Sequence, residues 1–225
     1  MTPLLALDWD WEFAWEITPE LWEGLQTTLR ATLAGIVLAM VLGLALAIMR
    51  RSDFRGVSWA ATAAIEFVRS TPLLVQLYFL FFVLPTFGVR FDAFSTGAVG
   101  LGVHYATYTS EVYRSGIEGV PRGQWEASTA LSLSPVQTWG RIVLPQAIPA
   151  VIPALGNYLI SMFKDSALLS TITVVELLQE GKIVCSSQFR CLEPYTLVGV
   201  LFLAVSIPSS LLVRRLEARL AHART

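Results

Sequence analysis

The side chains of this chain that could do chemistry are few, and most stand in pairs. Glu66 and Arg69 are three residues apart, as are Glu111 and Arg114, so on a helix each pair shares a face and can form an ion pair. Lys164 and Asp165 are adjacent, with Asn157 and Ser161 upstream. Asn157, Ser161 and Lys164 fall on one helical face, and the group offers both charge signs to a zwitterionic solute. Cys185 and Cys191 are the two cysteines; His104 and His222 are the two histidines. Two histidines so far apart are poor material for a metal site. No G-x-S-x-G or H-E-x-x-H occurs, which leaves an intramembrane protease without a nucleophile–base pair or a metal cluster. No G-x-x-x-x-G-K-[ST] occurs either, so any ATP hydrolysis belongs to another chain.

The elements that must hold these residues are apolar. Of 225 residues, 54% are hydrophobic and 15% charged, whereas about 25% charged is usual for soluble domains. Mean hydropathy is +0.59. A formal net charge of −1 gives no basic footprint for nucleic acid. The composition points to an all-α integral membrane protein, since lipid leaves backbone amides no other partners and no barrel-like alternation is present. Five segments suit spans of roughly 20 residues: about 25–49, 59–83, 96–116, 147–164 and 195–213, in one membrane domain over 1–225. Arg50, Arg51 and Arg55 follow the first span, Arg114, Arg122 and Arg141 surround the loop after the third, and Arg214, Arg215, Arg219 and Arg224 follow the fifth. The opposite connections hold Arg90 in one case, Lys182 and Arg190 in the other. This asymmetry puts the N-terminus outside and the C-terminus in the cytoplasm.

Asp8, Asp10, Glu12 and Glu16 stand where a cleavable leader would be basic. Trp9, Trp11, Trp15 and Trp22 are spaced either for a membrane interface or for an amphipathic surface helix. Thr71-Pro72 weakens the helical ladder after Arg69, so the second span bends or restarts beside the Glu66–Arg69 pair, which lines a path or fixes packing. Glu111 and Arg114 suit packing or loop anchoring better than ligand contact. His104 reads as a hydrogen-bonded packing residue. Residues 166–181 form an external amphipathic helix or a re-entrant piece. Cys185 and Cys191 fall in an external connection, as a disulfide or as two incidental thiols.

Residues 117–146 form a polar cytoplasmic loop. Gln124 to Leu133 reads as a helix, Ser132–Ser134 as a break, and Ser134-Pro135-Val136-Gln137 as a second helix start with a capping box. Such a helix either docks a partner that moves the spans or rests on headgroups. The residues Gly123-Gln124-Trp125-Glu126-Ala127, Ala130-Leu131-Ser132-Leu133 and Ile142-Val143-Leu144-Pro145 resemble the G-Q-x-E-A-A…A-L-G-L-S…I-x-L-P loop of ABC-importer permeases. Glu66 to Gln76 resembles E-x-x-R-G-T-P-L-L-V-Q, Tyr108 to Ile117 resembles A-Y-x-x-E-x-x-R-G-I, and Lys164 to Leu168 resembles K-D-T-S-L, all from the polar amino acid branch. Serine replaces the expected glycine at Ser70 and Ser132; a left-handed serine at the latter would cost roughly 1–2 kcal/mol.

The resemblance implies a type I importer permease fold and a transport subunit without enzymatic activity or cofactor. ATP and Mg would sit on a partner ATPase dimer. A second permease and an external solute-binding protein would complete a complex in the bacterial inner membrane. Gly123, Glu126, Ala127, Ala130, Leu131, Ser132, Leu133 and Pro145 would couple it to the ATPase. Glu66, Arg69, Thr71, Asn157, Lys164 and Asp165 would line the path of a polar amino acid or related zwitterion. The N-terminal W-D-W-E-F-A-W-E is similar to permeases for ectoine and hydroxyectoine. A self-contained carrier or channel is the alternative; no inverted repeat supports it.

Overall fold

The computed structural model describes residues 9–222; Asp8 and Arg224 lie outside the described residues. Among these, every regular element is helical. A short helix α1 (Trp11–Glu16) leads into α2 (Thr18–Arg50), which turns at Arg50 and Arg51 into α3 (Arg55–Arg69). After the break come α4 (Leu73–Tyr78), a π turn (Phe79–Val83) and a 3-10 turn (Leu84–Phe87). Then follow α5 (Ala93–Glu118), α6 (Arg122–Ala130), α7 (Pro135–Thr138) and, through a second π turn, α8 (Leu144–Asp165). A 3-10 turn (Ser166–Ile172), α9 (Leu177–Gln188) and α10 (Leu192–His222) complete the chain.

The centre of the fold is the packing of α2 on α5. Ala31, Gly35, Ala39, Gly43 and Ala47 recur every four residues on α2 and are all buried. Small residues at this spacing let two helix backbones approach closely. At Gly43 the approach is tightest: a Cβ there would lie 2.8 Å from the Ala106 carbonyl oxygen. Thr109 Oγ1 uses the proximity to donate to the Ala39 carbonyl at 2.8 Å. The far face of α2, with Leu33, Val37, Val41, Leu44 and Ile48, is exposed and apolar, as a lipid-facing surface is.

Among the described residues, three helical stretches are long and apolar enough to cross a membrane: Thr18–Arg50, Pro135–Ile172 and Leu192–Leu220. The pair Arg55–Arg69 and Leu73–Phe87 makes a fourth, broken by a 102° bend. The expected weak point at Thr71-Pro72 is therefore a restart rather than a gentle curve. Residues 96–116 lie in α5, which is long but more polar. Its threonines, its glycines and Ser110 are buried against other helices, so these groups need not face lipid.

Outside the spans, Asp10 caps α1 by accepting from the Glu12 and Phe13 amides at 3.0 and 3.1 Å. Arg190 bridges Asp10 (3.0 Å) to the buried Glu193 (2.6 Å) and stacks over Phe13. The Phe13 amide, helped by that guanidinium, holds the Asp10 carboxyl below the usual carboxylate range. A disulfide joins Cys185 to Cys191 and closes the turn that carries Arg190. Residues 166–181, expected as one helix or a re-entrant piece, divide into the 3-10 turn, an extended link and the start of α9. Glu176 caps α9 through the Leu178 and Gln179 amides.

Candidate functional site

Two regions concentrate the polar groups: a cavity between α5 and α8, and the α6–α7 elbow. The cavity, about 310 Å³, is lined by His104, Tyr105 and Tyr108 of α5 and by Tyr158, Ser161, Lys164 and Asp165 of α8. Positions 104, 105 and 108 share one face of α5, and 158, 161 and 165 one face of α8, so two regular helices suffice to build the walls. Tyr105 donates to Asp165 Oδ2 at 2.6 Å and ties the walls together. Ring centroids of Tyr108 and Tyr158 lie 5.6 Å apart, and those of His104 and Tyr108 5.3 Å apart. The result is an aromatic-walled pocket with a carboxylate and an ammonium at one end. Aromatic faces attract delocalised cations, and a carboxylate fixes their orientation.

Of the residues expected on a solute path, Lys164 and Asp165 line this cavity; Asn157, on an exposed part of α8, does not. Glu66 and Arg69 also need correcting. They share a helix face but do not pair, and Glu66 is exposed. Arg69 turns to α5 instead, where its guanidinium stacks over Tyr108 at 5.2 Å and approaches Glu111 at 4.0 Å. Glu111 is bound by Arg50 and Arg114, and Arg114 continues to Glu118 at 2.6 Å. A three-residue spacing allows a pair but does not choose it; here the Tyr108 ring and Glu111 on α5 take Arg69 in place of Glu66. Thr71 reaches the cavity indirectly. It accepts from Gln76 Nε2 at 2.8 Å, and Gln76 Oε1 lies 3.2 Å from His104 Nδ1. The reading of the sequence passed over Gln76 and the three tyrosines. The signal for Tyr105 and Tyr108 was their spacing on α5, which an apolar span disguises as packing.

At the elbow, α6 starts at Arg122 and ends at Ala130, a little earlier than the sequence suggests at both ends. Its terminus is a Schellman turn: the Ser132 amide donates to Thr129 (2.9 Å) and the Leu133 amide to Ser128 (3.0 Å). Ser132 takes a left-handed φ of +53°, the conformation in which glycine costs nothing. Ser70, by contrast, has φ −80° and needs no glycine. Ser134 then caps α7, with Pro135 at the first helical position and Gln137 completing a capping box. The inner side of the elbow is anchored. Val120, Val143 and Ala147 form a small core with Ile117, Trp125 and Trp139, and the two tryptophans meet edge to face at 5.6 Å. The outer side has no such anchor among the described residues. Gly123, Glu126, Ala127, Ala130, Ser132 and Pro145 are exposed, Leu133 half-buried, and Leu131 and Val136 are 72% and 82% exposed. Exposed large apolar side chains beside charges mark a surface that takes a partner.

Comparison with known proteins agrees with this geometry. Residues 27–222 match the family described as "Binding-protein-dependent transport system inner membrane component". The chain is 49% identical over 174 residues to a probable amino-acid ABC transporter permease protein, y4tG, of Sinorhizobium fredii, covering 77% of this chain and 75% of that protein. It is 36% identical over 176 residues to the probable glutamine ABC transporter permease protein GlnM of Bacillus subtilis, covering 78% and 82%. A crystal structure of an amino acid ABC transporter with histidines superposes with TM-score 0.89 at 33% identity, covering 94% of this chain and 99% of that one. The fold is thus all-helical and of the type I ABC permease kind, and the chain belongs to the binding-protein-dependent transport inner membrane components, the permeases of ABC importers, as a transport subunit rather than an enzyme.

Proposed function

We propose that this chain is the membrane permease of an ATP-driven importer for amino acids or related zwitterions, ectoine and hydroxyectoine among them. It works by alternating access in the bacterial cytoplasmic membrane. The observation that carries this reading is the elbow, firmly seated on α5 and α8 by its tryptophans yet presenting Glu126, Leu131 and Val136 outward. An ATPase that grips it can displace both helices at once. Gly123, Ala127, Ala130, Ser132, Leu133 and Pro145 shape the gripped surface, and the coupling loop spans about 117–146. In this reading the chain is one domain with five spans, the N-terminus outside and the C-terminus in the cytoplasm. The broken pair α3–α4 counts as one span, and α5 is a polar span shielded by its neighbours. ATP and Mg sit on a separate ATPase dimer, a second permease of the same or a related kind completes the channel, and an external solute-binding protein delivers the substrate. A ligand drives such a cycle only by discriminating between its states.

The substrate class follows from the cavity. Asp165 suits an ammonium or amidinium, Lys164 a carboxylate, and the aromatic walls a delocalised cationic ring. Glu66, Arg69, Thr71 and Asn157 lie outside the lining, so any part they take in the path is through neighbours. The test is uptake in proteoliposomes of the permease reconstituted with its ATPase and loaded receptor, using radiolabelled glutamine, arginine and ectoine. Glu126→Arg is expected to abolish ATP-driven uptake while the purified permease stays folded. Uptake without any ATPase would sink the proposal in favour of a self-contained carrier, and so would labelling that finds Glu126 on the outer face.

A further inference from the structure

The break between α3 and α4 creates a hydrogen-bonding problem whose solution reaches into the cavity. Pro72 occupies the position four residues after Val68, where a helical amide would donate to the Val68 carbonyl, and proline has no N–H. The Val75 amide, the helical partner expected for the Thr71 carbonyl, donates to Pro72 instead. Gln76 Nε2 reaches back across the break to both carbonyls, donating at 2.7 Å to that of Val68, which otherwise keeps a long bond from the Thr71 amide (3.3 Å) and the Thr71 hydroxyl (3.1 Å), and at 3.0 Å to that of Thr71. It also lies 2.8 Å from Thr71 Oγ1, whose own proton is directed at the Phe67 and Val68 carbonyls. The opposite amide orientation would set Oε1 against three oxygen acceptors, two of them with no proton to give. The orientation is therefore determined: Nε2 faces the break and Oε1 faces away.

Oε1 meets His104 Nδ1 at 3.2 Å. An amide oxygen only accepts, so Nδ1 must carry the proton. In a neutral imidazole the proton on one nitrogen leaves the other as a lone pair. His104 stands on the cavity wall between Gln76 and Tyr108. We infer that Gln76 is a positioning residue that fixes His104 as its Nδ1–H tautomer, so that Nε2 offers the cavity a hydrogen-bond acceptor and selects solutes presenting an N–H donor there. This inference rests on the proposed role of the cavity for its last clause and on the Gln76 geometry for the rest.

The two parts are tested separately. Solid-state ¹⁵N NMR of the full chain in lipid nanodiscs, labelled at histidine, contains two imidazoles, and His222→Gln leaves His104 alone. At pH 8 the expected spectrum has a pyrrole-type Nδ1 and a pyridine-type Nε2. Gln76→Leu is expected to release the ring into a mixture of tautomers. An Nε2–H tautomer in the unmodified protein, or a Gln76→Leu spectrum identical to it, overturns the inference. If Gln76→Leu does not fold, the spectrum of the unmodified protein still decides. For the last clause the probe is L-arginine, titrated against sodium propionate as an anion without N–H. Arginine is expected to move the pyridine-type Nε2 resonance toward lower shift, and propionate to leave it in place. The reverse pattern overturns the donor assignment. His104→Phe leaving arginine, glutamine and ectoine uptake unchanged would instead remove the cavity from the transport path, even with the tautomer as expected.

Discussion

Ser132 offers a direct measurement of how firmly the elbow holds its shape. Its φ of +53° places a serine where a Cβ crowds the following carbonyl, a conformation costing an L-residue roughly 1–2 kcal/mol. Ser132→Gly removes that cost. It also gives the opened loop more freedom to lose on closing, worth about 0.5–1 kcal/mol in the opposite direction. The net is about 0.5–1 kcal/mol in favour of the closed turn, and at 1.4 kcal/mol per tenfold this corresponds to about two- to fivefold slower local opening. The reporters are the Ser132 and Leu133 amides, which close the turn onto Thr129 and Ser128. Hydrogen exchange by mass spectrometry on peptides covering 127–137 reads them directly. Ser132→Val adds branching to the same left-handed position, and exchange there should quicken severalfold. Peptides from α2 and α10 are the internal control and should not change. Exchange in Ser132→Gly as fast as, or faster than, in the parent would refute the claim that the serine strains the turn.

Asp165→Asn keeps an acceptor for the Tyr105 hydroxyl but loses the charge offered to a cationic solute, a difference of about 1.5–3 kcal/mol for a charge-assisted bond. Uptake KM should rise about 10- to 100-fold with the fold intact, and an unchanged KM would separate Asp165 from the solute. Replacing Cys185 and Cys191 together by serine opens a short loop worth about 2 kcal/mol of chain entropy. The melting temperature should fall and amides of α1 should exchange faster as the Arg190 clamp loosens; stability indifferent to the change, or to reductant in the parent, would contradict this. Burial raises the Glu176 carboxyl to about 7, against the pull of its cap bonds to Leu178 and Gln179. The folded state therefore holds a proton that the unfolded state has already released between its ordinary value, about 4.5, and about 7. Stability contributed by the protonated form is present below about 4.5 and is lost as pH rises through about 7, by something on the order of 2–3 kcal/mol. Melting curves from pH 5 to 8 should show this fall, and Glu176→Gln should flatten it.

What could be read from the residues was local. The capping box of Ser134 and Gln137 depends on four consecutive residues, and the turn before it on backbone geometry that a serine in a glycine position already announces. The helical class followed from apolar length, because lipid leaves a chain few ways to satisfy its amides. The choice among tertiary partners was not legible. Arg69 has Glu66 three residues before it, yet its neighbour in space is Glu111 on another helix, forty-two positions away in sequence. The cavity was hidden for a related reason. Tyr105, Tyr108 and Tyr158 satisfy the same hydropathy pattern whether they fill a core or wall a pocket, and only the crossing of α5 with α8 decides. Gln76 was readable in principle. A proline four residues after Val68 removes the helical donor to its carbonyl, and an amide side chain one turn further on can take that donor's place.

The cavity and the elbow are mechanically one object because they share their two struts. α5 is a single helix of 26 residues, about 39 Å at 1.5 Å per residue, without an internal break. It carries His104, Tyr105 and Tyr108 on the cavity wall, Glu111 and Arg114 lower down, and ends against Val120 in the elbow's small core. α8 begins in that same core at Ala147 and reaches the cavity at Tyr158 to Asp165. Proline at 149 and 153 lets α8 flex along the way, whereas α5 has no such joint. Force applied at the Trp125–Trp139 contact therefore tilts α5 as a rod and bends α8. The two cavity walls cannot keep their spacing through such a movement. The Tyr105–Asp165 bond, the direct hydrogen bond between the walls among the described residues, is where that change must first be felt.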